Sequence, residues 1–138
     1  MTEKDYSGTP LPTKLGIKDG SSVAIVNEPD GFLEWFQPLL PETVALHDRA
    51  AGPLDVIVFF SSGQTHLRRR FSVLAGFLEP AGGLWVAYPK KASARETDLT
   101  FETVQQVGLD AGLVDNKSCA IDDDWSGVRF VYRLKDRA

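Results

Sequence analysis

Two apolar runs, Leu54-Asp55-Val56-Ile57-Val58-Phe59-Phe60 and Gly83-Leu84-Trp85-Val86-Ala87-Tyr88-Pro89, stand on either side of one stretch with helical periodicity. Between them, from about Gln64 to Leu78, Leu67, Phe71, Leu74 and Leu78 recur on one helical face. A strand, a covering helix and a second apolar strand make a parallel β-α-β unit, because parallel neighbours need a long crossover. The unit restricts the rest of the chain. Crossovers of one hand put helices on both faces of the sheet, and the carboxyl ends of its strands form the crevice where such sheets take ligands.

The flanking segments fit that frame. Residues 1–13 carry Gly8, Pro10 and Pro12 among polar residues and are expected to be an arm, a loop or extended strap without a regular element, with a single α/β domain over 14–138. Ser22-Val23-Ala24-Ile25-Val26-Asn27 has the β-branched, apolar character of a central strand, broken by Glu28-Pro29-Asp30-Gly31. Phe32, Leu33, Phe36 and Leu40 suit a short helix capped by Asp30 and ended by Pro38, and Thr43–His47 suits a short edge strand. After a polar loop over 90–98, Thr100 is placed to cap a helix bearing Phe101, Val104, Val107, Gly108 and Ala111, with Gly112 as its stop. Ser118–Ile121 and Val128–Leu134 then form an antiparallel pair joined by an acidic turn containing Ser126-Gly127. The expected architecture is a three-layer, Rossmann-like open α/β sheet, mostly parallel, closed by a C-terminal antiparallel hairpin.

Composition excludes several functions. A chain of 138 residues, 43% apolar, suits one substantial core. No apolar run reaches the roughly 18 residues of a membrane span, and Met1-Thr2-Glu3-Lys4-Asp5 lacks the apolar stretch of a secretory signal, so a cytoplasmic protein without membrane contact is expected. The net charge of −4 argues against a nucleic-acid footprint, and Arg68-Arg69-Arg70 falls mostly on the outer helical face. Cys119, the only cysteine, excludes an intrachain disulfide and suits a small buried hydrophobe. His47 and His66 lack metal-ligand spacing, and Asp122-Asp123-Asp124 lacks a calcium-loop pattern and suits a solvated turn, so no metal site is expected.

From Leu54 to Phe59, through the helix, to Leu78-Glu79-Pro80-Ala81-Gly82-Gly83-Leu84-Trp85-Val86, the chain resembles the second half of a class I S-adenosylmethionine-dependent methyltransferase fold. The resemblance covers about 54–134, and Leu15-Gly16-Ile17 through Val26 resembles that fold's first strand. It implies a glycine-rich turn after the first strand and an acidic residue after the second. This chain has Asn27-Glu28-Pro29-Asp30-Gly31 at the turn, and Asp48 is the residue placed to imitate the ribose-binding acid. The turn's single glycine, its proline and its two carboxylates leave little room for an adenosyl group, so no cofactor is expected. Over nearly its full length the chain is also similar to the bacterial family termed domain of unknown function 3052. Tyr6-Ser7-Gly8-Thr9-Pro10-Leu11-Pro12, Trp85 through Lys91, Gly112 through Lys117, and Trp125-Ser126-Gly127 carry that similarity, which implies a compact Rossmann-like protein and no activity.

No catalytic set is visible. Ser61-Ser62-Gly63 stands where a nucleophile elbow would, without the glycine pattern, and suits a helix cap. The candidate ligand residues lie past strand ends. Lys90 and Lys91 follow Pro89 and suit a phosphate or carboxylate, or else pair with carboxylates such as Asp98. Asn27, Ser61 and Ser62 would share their rim, while Asn116, Lys117 and Trp125 reach it only if the closing segment folds back. Three readings stay open: a non-catalytic binding or regulatory module, a small enzyme for an anionic or nucleotide-like substrate, and an oligomeric interaction module. A small anionic ligand is the expected partner, with the oligomeric state undetermined.

Overall fold

The computed structural model describes residues 9–137. Its strands are Ser22–Val26 (β1), Ala45–His47 (β2), Leu54–Phe60 (β3), Leu78–Pro89 (β4), Leu113–Ala120 (β5) and Trp125–Tyr132 (β6). Its α-helices are Leu11–Lys14 (α1), Phe32–Phe36 (α2), Gln64–Ala75 (α3) and Phe101–Asp110 (α4). The six strands form one sheet in the order β2-β1-β3-β4-β6-β5. The first four are parallel, and β6 runs antiparallel to both β4 and β5. This is the mostly parallel, Rossmann-like sheet with a closing antiparallel pair that the sequence led us to expect. Among the described residues, no helix is long and apolar enough to cross a membrane.

Period-two alternation sends each strand's apolar side chains to two separate cores. Ala24, Ile57, Phe59, Leu84 and Val86 face α3 and α4, meeting Leu67, Phe71, Leu74, Val104 and Val107. Val23, Ile25, Val58, Phe60 and Trp85 face the other way, onto Leu11, Leu15, Ile17, Phe32 and Phe36. Each large side chain so buried contributes about 1.5–3 kcal/mol. The second face has little helix to cover it, so the segment after α1 takes over: the Trp85 indole Nε1 donates to the Leu15 carbonyl at 3.0 Å. In the first core, Gly108 of α4 lies so close to the Phe130 ring that a β-carbon there would overlap it.

Several local expectations are corrected. The arm does not stay without a regular element to residue 13: α1 begins at Leu11, and Leu11 and Pro12 are buried, because the sheet face beneath them needs apolar cover. The first eight residues of the arm, including Tyr6-Ser7-Gly8, lie outside the described residues. Asp30 does not cap α2; Gly31 holds that position at φ 85° without a side-chain bond. α3 ends at Ala75, with Gly76 as its C-cap, so Leu78 belongs to β4 and pairs with Leu54. β5 starts directly after Gly112, whose φ of 89° ends the preceding helix as expected. Ser126 and Gly127 lie within β6, and the turn is shorter, with the Asp122 carboxylate accepting from the amides of Asp124 and Trp125. Thr100 does cap α4, accepting from the Thr103 amide at 3.2 Å, although Phe101 on the expected buried stripe is exposed.

Candidate functional site

The chain leaves β1 for β2 on one side and then returns across β1 to β3 on the other. The carboxyl ends of β1 and β3 therefore flank a topological switch point, the place where open α/β sheets part to admit a ligand. Here the gap is spanned by a side chain. Asn27, directly after β1, adopts φ 60°, a left-handed conformation that asparagine tolerates, and its Nδ2 donates to the Phe60 carbonyl at 2.8 Å. Beneath this bridge the Phe60 ring meets Phe32 at 4.8 Å and Trp125 at 5.0 Å, both edge-on. The Arg95 guanidinium lies 5.0 Å above the Trp125 ring.

Ser61 continues β3 past its end, its amide donating to the Ala87 carbonyl at 2.9 Å. Its hydroxyl is 2.8 Å from His66 Nδ1, and the residue is 1% exposed. Burial, then the cationic Arg70 and Arg69, hold His66 below its ordinary pKa of 6.5. The same hydroxyl lies 3.3 Å from the Gly63 carbonyl, to which it can donate, so the imidazole tautomer sets which partner takes the serine proton. Buried at the end of β3, Ser61 ties the strand end to α3 through this contact. The Ser61-Ser62-Gly63 segment does not cap α3 with a side chain either: Gly63 is the N-cap, and the Asp98 carboxylate accepts from the Gln64 amide at 2.8 Å. That bond commits Asp98 to α3. Ser62 is exposed and its carbonyl accepts from Thr97 Oγ1 at 2.7 Å.

The structure brings Asn27, Ser61, Ser62, Lys90, Lys91 and Trp125 to the carboxyl end of the sheet. The Lys90 amide donates to the Asp124 carbonyl at 2.8 Å, which fixes the backbone at the end of β4, and Lys91 is exposed beside it. Trp125 pairs with Pro89 at this same edge but is buried. Asn116 does not join them. It lies at the irregularity in β5 and accepts from Arg129. Arg129 pairs with Trp85, four residues before Pro89, so Asn116 sits roughly 13 Å short of the rim at the strand rise per residue.

A second feature of the rim lay partly beyond sequence reasoning. Glu28, Gln37, His47 and Asp48 line a groove of about 370 Å³ at the carboxyl ends of β1 and β2. Asp48 was legible as an acid after the second strand. Glu28 and His47 were not, because only parallel pairing of β1 with β2 brings the two strand ends together. Two carboxylates there suit ligand hydroxyls or a cation. In the turn beside them Pro29 has no amide hydrogen, the Phe32 amide donates to the Pro29 carbonyl, and Asn27 bonds to the Phe60 carbonyl. Among the described residues, no group of three or more His, Cys, Asp or Glu side chains is arranged to hold a metal.

Solved structures that match this fold include methyltransferases. A ribosomal protein L11 methylase from Lactobacillus delbrueckii subsp. bulgaricus matches with a TM-score of 0.62 at 14% identity, over 89% of this chain and 75% of that one. A magnesium protoporphyrin IX methyltransferase from Synechocystis PCC 6803 with bound SAH matches at 0.61 and 11% identity, over 88% and 78%. A SAM-dependent methyltransferase from Aquifex aeolicus matches at 0.57 and 14% identity, over 86% and 85%. At these identities the likeness establishes a shared Rossmann-like fold. No protein-family model and no curated protein matches the chain, so the similarity to domain of unknown function 3052 gains no support there.

Proposed function

We propose that this chain is a non-catalytic binding or regulatory module, built on a methyltransferase-type sheet, whose carboxyl rim takes a small anionic, nucleotide-like ligand. The observation that carries this reading is the Asn27–Phe60 bond, which ties a side chain across the switch point, where a cofactor turn would need bare backbone. On one side of the bridge stand Glu28 and Asp48, suited to hydroxyls; on the other stand Lys90 and Lys91, suited to an anionic group. β2 and β4 are three strand spacings apart, roughly 14 Å, a span that a nucleotide covers.

The test is calorimetric titration of the full chain with S-adenosylmethionine, S-adenosylhomocysteine and uridine monophosphate, with melting temperatures measured in parallel. The expected result is saturable binding of uridine monophosphate that is lost in Lys90→Ala/Lys91→Ala, and no saturable binding of either adenosyl compound. Saturable S-adenosylmethionine binding would overturn the module reading in favour of a small enzyme. A monophosphate response unchanged in the lysine variant would remove those residues from the site.

A further inference from the structure

A larger cavity, of about 670 Å³, opens at the opposite, amino-terminal end of the parallel strands. Its floor is unusual for a sheet interior. β6 has a neighbour on both sides, and on the face it shares with Trp85 the alternation places Arg129 where an apolar residue would ordinarily cover the sheet. Room for the guanidinium comes from β4: at Gly83 a β-carbon would overlap Arg129 Nε, so the side chain lies directly on the glycine. Any other residue at position 83 would push the guanidinium off.

The charges around Arg129 leave it uncompensated. Among the described residues it makes no ion pair, and its side-chain partner is the neutral Asn116, whose Oδ1 accepts from Nη1 at 3.3 Å. Its direct cross-strand partner on β5 is Lys117, a like charge on the same face, an arrangement that is unfavourable by itself. Burial and the nearby Arg137 both disfavour the protonated guanidinium. Lys18 reaches the cavity from the connection between α1 and β1. Three carboxylates line the wall, Asp19, Asp55 and Glu79, and among the described residues none forms an ion pair with Arg129: Asp55 accepts from the Ser22 amide at 2.8 Å and Asp19 from Thr43 Oγ1 at 3.1 Å. A half-buried cation facing a second cation is stabilised by an anion from outside the chain.

We propose that this amino-end cavity is a second binding site, for an oxyanion group on a small molecule, with the Arg129 fork as the primary contact and Lys117 and Lys18 beside it. A planar guanidinium engages two oxygens of a phosphate or carboxylate at once, and the glycine floor lets the group approach the sheet. Asp55 and Asp19 on the facing wall suit hydroxyl or amino groups on the same ligand. The site is independent of the carboxyl rim.

The experiment uses the full, isotope-labelled chain, titrated with pyrophosphate and separately with citrate at matched ionic strength. Saturating amide shifts are expected at Gly20, Gly82 and Gly83, with a rise in melting temperature, and both should vanish in Arg129→Met. Tighter pyrophosphate binding identifies a phosphate ligand and tighter citrate binding a carboxylate ligand; either supports the site. Should Arg129→Met fail to fold, Lys18→Ser/Lys117→Ser alters only exposed positions and is expected to weaken binding about tenfold. No saturation in the unaltered protein, shifts centred on Asn27 and Lys90, or undiminished affinity in the double lysine variant would each overturn the proposal. Lys90→Ala/Lys91→Ala, which tests the rim, should leave this response intact.

Discussion

His66 shows how one residue's surroundings set its behaviour. Its lowered pKa means that the unfolded chain takes up the proton first as the pH falls. This contribution to stability is fully present above about 6.5 and is lost on descent through the folded value. Urea midpoints measured from pH 8 to pH 5 should therefore fall more steeply for the parent protein than for His66→Gln, which has no titrating ring. Parallel curves would show that the imidazole is as solvated in the fold as in the unfolded chain. Nothing in the sequence announced the Ser61–His66 contact. Five residues apart, the two meet because Ser61 ends a strand and His66 lies in the first turn of the next helix. Arg129 was equally silent, since a single arginine in an alternating strand suits a solvated face until the neighbours on both sides are known.

At the scale of elements, what lay in local pattern was legible. The apolar period placed β3 and α3, Thr100 signalled the start of α4, and Gly112 signalled its end. The failures fell where a distant segment supplies the stabilising group. α3 is capped by Asp98, 34 residues away in the chain, and no rule of adjacency finds that bond. The two caps make a paired prediction. Thr100→Ala should destabilise the protein by about 1 kcal/mol, as loss of a helix cap does. Asp98→Ala should cost about as much and also loosen the 90–98 loop, because the same carboxylate ties that loop to α3. Chemical denaturation checks the first effect and proteolysis within the loop checks the second. Equal protease resistance in both variants would count against the tethering role.

For the whole molecule, one sheet separates two cores of unequal cover. α3 and α4 shield one face, whereas the other relies on α1, α2 and the segment through Leu15 and Ile17. Because β1, β3 and β4 contribute side chains to both, neither core survives loss of the sheet. Unfolding followed by tryptophan fluorescence, which reports largely on Trp85 and Trp125, should coincide with unfolding followed by far-ultraviolet circular dichroism. Separate transitions would mean that the thinly covered face opens by itself.

The sequence alone determined the alternation of strands and helices, the closing antiparallel pair and the absence of a glycine-rich turn after β1, because each depends on residues close together in the chain. It also brought Asn27, Ser61 and Lys90 to the ends of strands. Only the tertiary structure decided that Asn27 bridges to Phe60, that Glu28 and Asp48 share a groove, and that Asn116 belongs with Arg129 at the far end of the sheet. The physical reason is that these relations depend on which strands are neighbours and in what register. That is settled by packing two cores against one sheet and is not written in any single stretch of the chain.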